Sequence, residues 1–350
     1  KGLKTVAIAI DDLSRPTPAR QILSVVLDQL QQAGLKDNDI SIVFALGTHP
    51  PLTKDEMIEK LGPSVFETFR IVQHDPHHNL LDIGLSLDGI PVRINQYFFD
   101  ADIKILVGCI TPHSFAGFSG GGKMIFPGLA NFDIIERTHR SVLMGFKGGL
   151  GLVEGNQFRE EIQTVCRQCG VDFSIDVVLN QDREISGIFA GHVEHAFREG
   201  VECARKSYRT TRPSLVDVAI LNAYPKDTDF IQSENAFNLY RSIKREFVKD
   251  NGIIVLMTAG SLGLGRHSLF GSQGTLARKP RPKRWLGGRK LYIYCPVVPQ
   301  EELHTAYWEG YPGFQSWDDV IGEIQKTFPE SCKIAVFPYS SLQLGADDAL

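Results

Sequence analysis

Carboxylate, guanidinium, imidazole and amine groups all fall just past apolar, strand-like runs in the first part of this sequence. "TVAIAI" runs into "DDLSRPTP", which offers Asp11, Asp12 and Arg15. "ISIVFAL" runs into "GTHPP", which offers His49, and "IKILVGCI" runs into "TPHSFAGFSGGGK", which offers His113 and Lys123. In open parallel sheets ligands sit beyond the carboxyl ends of the strands. Neighbouring parallel strands would therefore gather these groups at one site. Each also has a plainer reading. Asp12 could cap the turn before Pro16, Arg15 could pair with Asp11 at the surface, and His49 could be an ordinary hydrogen-bonded loop residue.

The stretch "GFSGGGKM", residues 117–124, comes close to a nucleotide-binding loop, G-x-x-x-x-G-K followed by Ser or Thr. Gly117, Gly122 and Lys123 fit. Met124 stands where the magnesium-binding hydroxyl belongs, and Pro127 and Gly128 would cut short the helix that such a loop opens. The glycines still allow backbone N–H groups to approach an anion, so phosphate binding without magnesium stays open. Lys123 is then either a phosphate partner or a nucleophile with a desolvated amine. Further on, "ERTHRSV" places His139 on a helix beside Arg140.

These groups need elements to hold them. "PARQILSVVLDQLQQAG" has helical apolar spacing and stops at Gly34, and "TKDE" is a capping box that starts a short helix. "FSIDVVLN" and "EISGIFAG" read as a strand pair around Gln181 and Asp182, and "EHAFREGVECARKSYR" as a helix. After the polar break "TTRPS" the alternation restarts: strand "VDVAILN", helix "NAFNLYRSIKREFV", strand "GIIVLMTA", strand "KLYIYC", a helix near "SWDDVIGEIQKTF" and strand "KIAVFP". Repeated β-α alternation on both sides of a break predicts an α/β protein of two α/β domains. The expected division is residues 1–200, a hinge over 201–213, and residues 214–350.

The 350 residues are 43% apolar and 22% charged with a net charge of -4, which gives no general pull toward nucleic acid or a membrane. No apolar run approaches the roughly 20 residues of a membrane span, and no signal peptide opens the chain. Six Cys without a regular framework point to a reducing, cytoplasmic setting. Cys166 and Cys169 form one C-x-x-C, read as two thiols on a helix turn because no second pair follows at zinc spacing. Four further features carry weaker signals: "QHDPHHN", the pair His192 and His195, the glycine-rich "GSLGLGRH", and the basic "RKPRPKRWLGGRK".

Taken together, "DDLSRPTP", "GTHPPLTKDE", "TPHSFAGFSGGGKMIFPG", "ERTHR" and "DTDFIQSENA" resemble, in order and nearly in spacing, the nickel-dependent lactate racemase family. The resemblance covers most of the chain. It implies two α/β domains with the active site in the cleft between them. It also implies a nickel-pincer nucleotide, a pyridinium mononucleotide with two thio-carboxyl groups, linked covalently to Lys123. His139 is carried over as the nickel ligand; Asp12, Ser119, Gly120, Gly121 and Gly122 lie along the cofactor. His49 and His113 are carried over as an acid–base pair, and Arg15 and Gln232 as substrate-binding residues. The family's Lys three residues after that Gln is Asn235 here, and the aromatic before it is Ile231, which points away from lactate toward a larger or more hydroxylated 2-hydroxy acid. The chain also starts close to its Asp motif, where family members carry a longer leading segment. The implied activity is inversion of C2 of a 2-hydroxy acid, with the cofactor-making enzymes as partners. A phosphotransferase built on the glycine loop and a non-catalytic cofactor carrier are the alternatives from other classes.

Overall fold

The computed structural model describes residues 4–211, 213–242, 247–265, 267–277 and 279–345. The chain divides into two compact units, Lys1–Ser207 and Tyr208–Leu350. The boundary falls inside the expected hinge, and residues up to Ser207 in that segment are the end of a helix rather than a linker.

The first unit is built on a six-stranded sheet. Its elements are β1 (Val6–Ile10), α1 (Ala19–Gln32), β2 (Ile40–Phe44), α2 (Lys54–Leu61), α3 (Pro63–Thr68) and β3 (Arg70–Gln73). The hairpin β4 (Leu80–Leu87) and β5 (Ile90–Asn95) and the short α4 (Gln96–Phe99) follow, then β6 (Ile103–Cys109). A tight hairpin, β7 (Pro112–His113) and β8 (Gly117–Phe118), leads to α5 (Phe132–Leu143) and α6 (Gln157–Cys169). Strands β9 (Phe173–Leu179) and β10 (Ile185–Gly191) and helix α7 (Val193–Ser207) complete it.

The sheet order is β10-β9-β6-β1-β2-β3, with only the β9–β10 pair antiparallel. Strand β1 is buried along its whole length, which is why its run is continuously apolar rather than alternating. Helix α1 turns Ala19, Ile22, Leu23 and Leu27 to the core at the three- and four-residue spacing of one helix face. Thr53 and Glu56 close the capping box of α2 reciprocally, with Thr53 N–H donating to Glu56 Oε2 at 2.7 Å and Glu56 N–H to Thr53 Oγ1 at 3.3 Å. From β1 the chain runs outward to β2 and β3, then returns to place β6 on the other side of β1. The order reverses between β1 and β6, the place where open α/β sheets bind ligands.

The second unit contains β11 (Arg209–Thr210), β12 (Val216–Asn222), α8 (Phe230–Ser233), α9 (Phe237–Ser242), β13 (Val248–Met257), β14 (Lys290–Tyr294), α10 (Gln300–Ala306), β15 (Gly313–Phe314), α11 (Trp317–Thr327), β16 (Ile334–Phe337) and β17 (Leu344–Gly345). Five strands form a parallel sheet in the order β15-β14-β13-β12-β16, and β11 pairs with β17. The helix expected over 235–248 is shorter: α9 ends at Ser242, residues 243–246 lie outside the described residues, and Val248 already pairs with Val216 as the start of β13. Arg212 of the polar break, Arg266 of the glycine-rich loop and Arg278 of the basic stretch also lie outside the described residues. No described helix is long and apolar enough to cross a membrane.

Candidate active site

The loop after β1 is held by its own carboxylates. Asp12 Oδ1 accepts the Ser14 N–H at 3.0 Å and the Ser14 hydroxyl, so the turn-capping reading of Asp12 is real. Its other oxygen, Oδ2, lies 2.6 Å from His49 Nδ1 in the loop after β2. Burial works to raise the Asp12 pKa, but the His49 ring and the Ser14 bonds outweigh it and hold the carboxyl far below the usual range. An ionised Asp12 can only accept, so His49 Nδ1 carries the hydrogen of this bond.

Asp11 does not pair with Arg15. Its Oδ1 is 2.7 Å from Nζ of Lys60, and its Oδ2 accepts from the Thr17 hydroxyl. Lys60, only 5% exposed, also donates to the carbonyls of Asp12 and Arg15, at 2.9 Å each. One buried ammonium on α2 therefore sets the path of the whole Asp-Asp-Leu-Ser-Arg turn. Nothing in the sequence marks Lys60, which sits among ordinary surface lysines of a short helix. Arg15 is half-buried and donates to Ser14 O at 3.2 Å.

Beyond β6, the β7–β8 hairpin carries His113. Its Nδ1 accepts the backbone N–H groups of Phe115 and Ala116 at 3.2 and 3.1 Å. The glycine loop follows. From Ala116 to Asn131 every residue is buried except Lys123. The Ser119 hydroxyl, expected along the cofactor, is instead spent inside the loop: it donates to Cys109 O at 2.7 Å and meets Thr111 N and Oγ1 at 2.9 Å. The Gly121 N–H donates to Asp176 Oδ1 on β9 at 3.0 Å. A Cβ at Gly120 would lie 2.6 Å from that oxygen, one at Gly121 would lie 2.9 Å from the Phe197 ring, and one at Gly122 would lie 2.9 Å from Cys166 Cβ. These glycines let the loop pass tightly over the protein's own interior, and only a short 3-10 turn, Gly121–Met124, surrounds Lys123. That differs from the long helix a P-loop needs.

Two buried charges clamp this loop, and both were missed in the sequence. Arg159 on α6 bonds the carbonyls of Ala116, at 3.2 and 3.1 Å, and Phe118, and lies 4.2 Å from the Phe197 ring centroid. Burial pushes its pKa down to about 9. Asp176, with its carboxyl pKa raised by burial, takes its second bond from Ser174 Oγ at 2.8 Å. A signal for Asp176 did exist, since it is the one charge inside the apolar strand "FSIDVVL".

His139 sits on α5. Its Nδ1 donates to the Ile135 carbonyl one turn back at 2.8 Å, which leaves the lone pair on Nε2. Burial pushes its pKa down to about 4 against that hydrogen bond, with the nearby charges of Lys123 and His49 adding to the drop. The Phe115 ring lies edge-on to both His113 and His139, at 6.1 and 6.0 Å between centroids. Asp12, His49, His113, Lys123 and His139 thus form one connected neighbourhood at the β1–β6 reversal. Among the described residues no three His, Cys, Asp or Glu side chains form a metal-binding group.

Gln232 and Asn235 belong to the second unit, past the end of β12. The loops after β12 and β13 interlock there, with Gly260 N–H to Asp227 O at 2.7 Å and Leu262 N–H to Thr228 O at 2.8 Å. Asp229 caps α8 through the Gln232 N–H at 2.7 Å. The Asn235 amide, expected to meet substrate, is drawn into its own helix: Nδ2 donates to Gln232 O at 2.7 Å, and Oδ1 accepts from Asn238 at 3.2 Å. His74 is buried and bonds Ala130 O at 2.9 Å, while Asp75 holds the turn of His77 and His78.

Residues 1–149 match the family described as lactate racemase N-terminal domain. A lactate racemase from Thermoanaerobacterium thermosaccharolyticum is 30% identical over 282 residues, 77% of this chain and 63% of that protein. A lactate racemase from Lactiplantibacillus plantarum is 28% identical over 292 residues, 82% of this chain and 66% of that protein. The chain therefore spans just under two thirds of the length of these curated relatives. The structure of the lactate racemase apoprotein from T. thermosaccharolyticum matches 99% of this chain and 87% of its own, with a TM-score of 0.81 at 23% identity. A structure of a Thermotoga maritima protein matches 99% and 94%, with a TM-score of 0.74 at 16% identity. At these identities the two structures speak for the α/β fold.

Proposed function

We propose, from the match of residues 1–149 to the lactate racemase N-terminal domain and the similarity to lactate racemases, that this chain is a racemase or epimerase that inverts C2 of a 2-hydroxy acid. The observation that carries the reading is the connected group of Asp12, His49, His113, Lys123 and His139 at the sheet reversal.

The proposed cofactor is the nickel-pincer nucleotide, and the residues present fit it. Lys123 is the one opening in an otherwise buried segment, as a tethering amine requires. His139 is neutral at pH 7 with its lone pair on Nε2, which suits a single protein ligand to a metal whose other donors come from the cofactor. When bound, the group supplies a hydride acceptor and donor for C2. Ser119 and the three glycines serve it by shaping the loop, since their polar and packing capacity is turned inward.

The protein's own residues do the rest. Arg15 offers a planar fork for the substrate carboxylate, and Gln232 is a second substrate contact. His49, oriented by Asp12, takes the hydroxyl proton on Nε2 and gives it back. A neutral Asn235, its amide engaged within the helix, leaves no cation at that position and favours an acid larger or more hydroxylated than lactate. Enzymes that make the cofactor are the implied partners. The phosphotransferase alternative loses support because the loop's glycines face protein side chains and Met124 cannot ligate magnesium.

The test is intact mass and metal analysis of protein co-expressed with the cofactor-making enzymes. A mass gain at Lys123 with about one nickel per chain is expected for a single-ligand site, followed by racemisation within a panel of 2-hydroxy acids. An unmodified Lys123 without nickel, under conditions that load a known relative, would sink the reading.

A further inference from the structure

Building on that racemase reading, in which Arg15 holds the substrate carboxylate, we propose that Lys60 is a positioning residue for substrate binding. It touches no substrate itself. It fixes the backbone of Arg15, and with it the place where the guanidinium meets the carboxylate.

Lys60 lies near the end of α2 and is buried. Its Nζ stands 2.7 Å from Asp11 Oδ1 and donates to the carbonyls of Asp12 and Arg15 at 2.9 Å each. Three oxygens thus surround an ammonium that has three hydrogens. That leaves no hydrogen to offer a ligand, so the group acts on the turn. The Arg15 N–H also donates to Asp12 O, at 3.3 Å, and Lys60 seals from outside a turn that these two residues already close.

The two residues depend on Lys60 unequally. The Asp12 carboxylate has anchors of its own in the Ser14 N–H, at 3.0 Å, and the Ser14 hydroxyl. The Arg15 carbonyl is bonded, among the described residues, by Lys60 alone. Loss of Lys60 therefore loosens Arg15 first, and the substrate contact before the carboxylate of Asp12.

The ammonium is delivered from a helix held at both ends. Leu52, just before α2, exchanges two bonds with the Gln73 amide: its N–H donates to Oε1 at 2.6 Å and its carbonyl accepts from Nε2 at 3.0 Å. The Thr53–Glu56 capping box then starts the helix. Near the far end, Arg20 of α1 donates to Ile58 O at 2.9 Å. Helix α2 is a strut between the edge strand β3 and the loop after β1, and Lys60 is its point of contact. The geometry also accounts for the residue type. Three oxygens converge on one nitrogen, which an ammonium can serve and a planar guanidinium, with donors that point apart, cannot.

The experiment separates this role from plain stabilisation. Lys60→Met combined with Asp11→Asn removes the buried charge pair as a whole, with Asp11→Asn alone as the control. Urea unfolding, amide hydrogen exchange of the apoprotein at Ser14 and Arg15, and KM and kcat of cofactor-loaded enzyme are read on each. The double variant should unfold closer to wild type than Lys60→Met alone. Exchange at the turn should still be about tenfold faster or more, and KM about tenfold higher with kcat within about threefold, because a weakened carboxylate contact lowers ground-state and transition-state binding alike. Exchange or KM equal to that of the control overturns the proposal, as does a fall in kcat at unchanged KM. If the double variant does not fold, Lys60→Arg keeps the charge without the convergent donors and is read the same way. A loaded wild type that racemises no 2-hydroxy acid counts against the racemase reading, while exchange in the apoprotein still decides whether Lys60 holds the turn.

Discussion

Three histidines of the first unit share a neighbourhood yet make three different hydrogen-bond arrangements at Nδ1. His49 donates from Nδ1 to a carboxylate, His113 accepts at Nδ1 from backbone, and His139 donates from Nδ1 to a carbonyl. Motif spacing in the sequence singles out these histidines, because strand ends and the glycine loop bring them together. It cannot say which partner each ring nitrogen meets, since that depends on a residue 37 positions away for His49 and on a hairpin with two-residue strands for His113. Asp12 is where this can be probed. Asp12→Asn keeps the shape but presents an amide that can donate to Nδ1, which moves the hydrogen to Nε2 and removes the base of the proposed reaction. The racemisation rate of loaded enzyme should fall about 10²–10⁴-fold, with the mass gain at Lys123 retained. Full activity in that variant would mean that His49 does not depend on Asp12 for its tautomer.

The elements that hold the site rely on buried charges that sequence patterning does not reveal. Lys60 lies on α2, whose capping box is legible, but its ammonium turns inward to Asp11 because that carboxylate is buried beside it. Lys60→Met should destabilise the protein by about 3–5 kcal/mol, the usual cost of stranding one member of a buried pair. Adding Asp11→Asn should recover much of that loss in urea unfolding, and purely additive effects would show that the pair is not coupled. The glycine loop is the second such element. Gly120 has φ +79°, and a Cβ there would also approach Ile110 Cγ1 to 2.8 Å. Gly170, at the end of α6, has φ +65° with open space around it. Gly170→Ala should therefore cost only the left-handed backbone term, about 1–2 kcal/mol. Gly120→Ala should cost clearly more and abolish the proposed cofactor attachment at Lys123, because it forces the Asp176 contact apart. Equal costs for the two variants would mean that the loop adapts without strain.

At the scale of the molecule, the β-α alternation and the break near residue 210 were legible, because parallel strands buried on both faces leave unmistakable apolar runs. Less legible were the β4–β5 hairpin, whose strands are partly exposed and alternate weakly, and the early start of β13, hidden by the polar "KDNG" between its two apolar ends. That hairpin is tied to the rest of its unit by a buried imidazole. His74, 3% exposed, donates to Ala130 O, and Ala130 itself bridges to Ile94 of β5. Burial pushes the His74 pKa down to about 4, with the bond to Ala130 working the other way. In the unfolded chain the same ring titrates near 6.5. Between those values the unfolded state binds a proton that the folded state refuses, so stability is full above pH 6.5, falls as the pH drops, and levels off below about 4. The full fall is on the order of 3 kcal/mol, of which about 2 should appear between pH 6.5 and 5. His74→Gln keeps a donor for Ala130 and has nothing to titrate. Urea unfolding at several pH values should therefore show a shallower acid loss in the variant than in the wild type. Parallel curves would mean that the strain of protonating His74 is relieved locally, by release of the Ala130 tie, without loss of the fold.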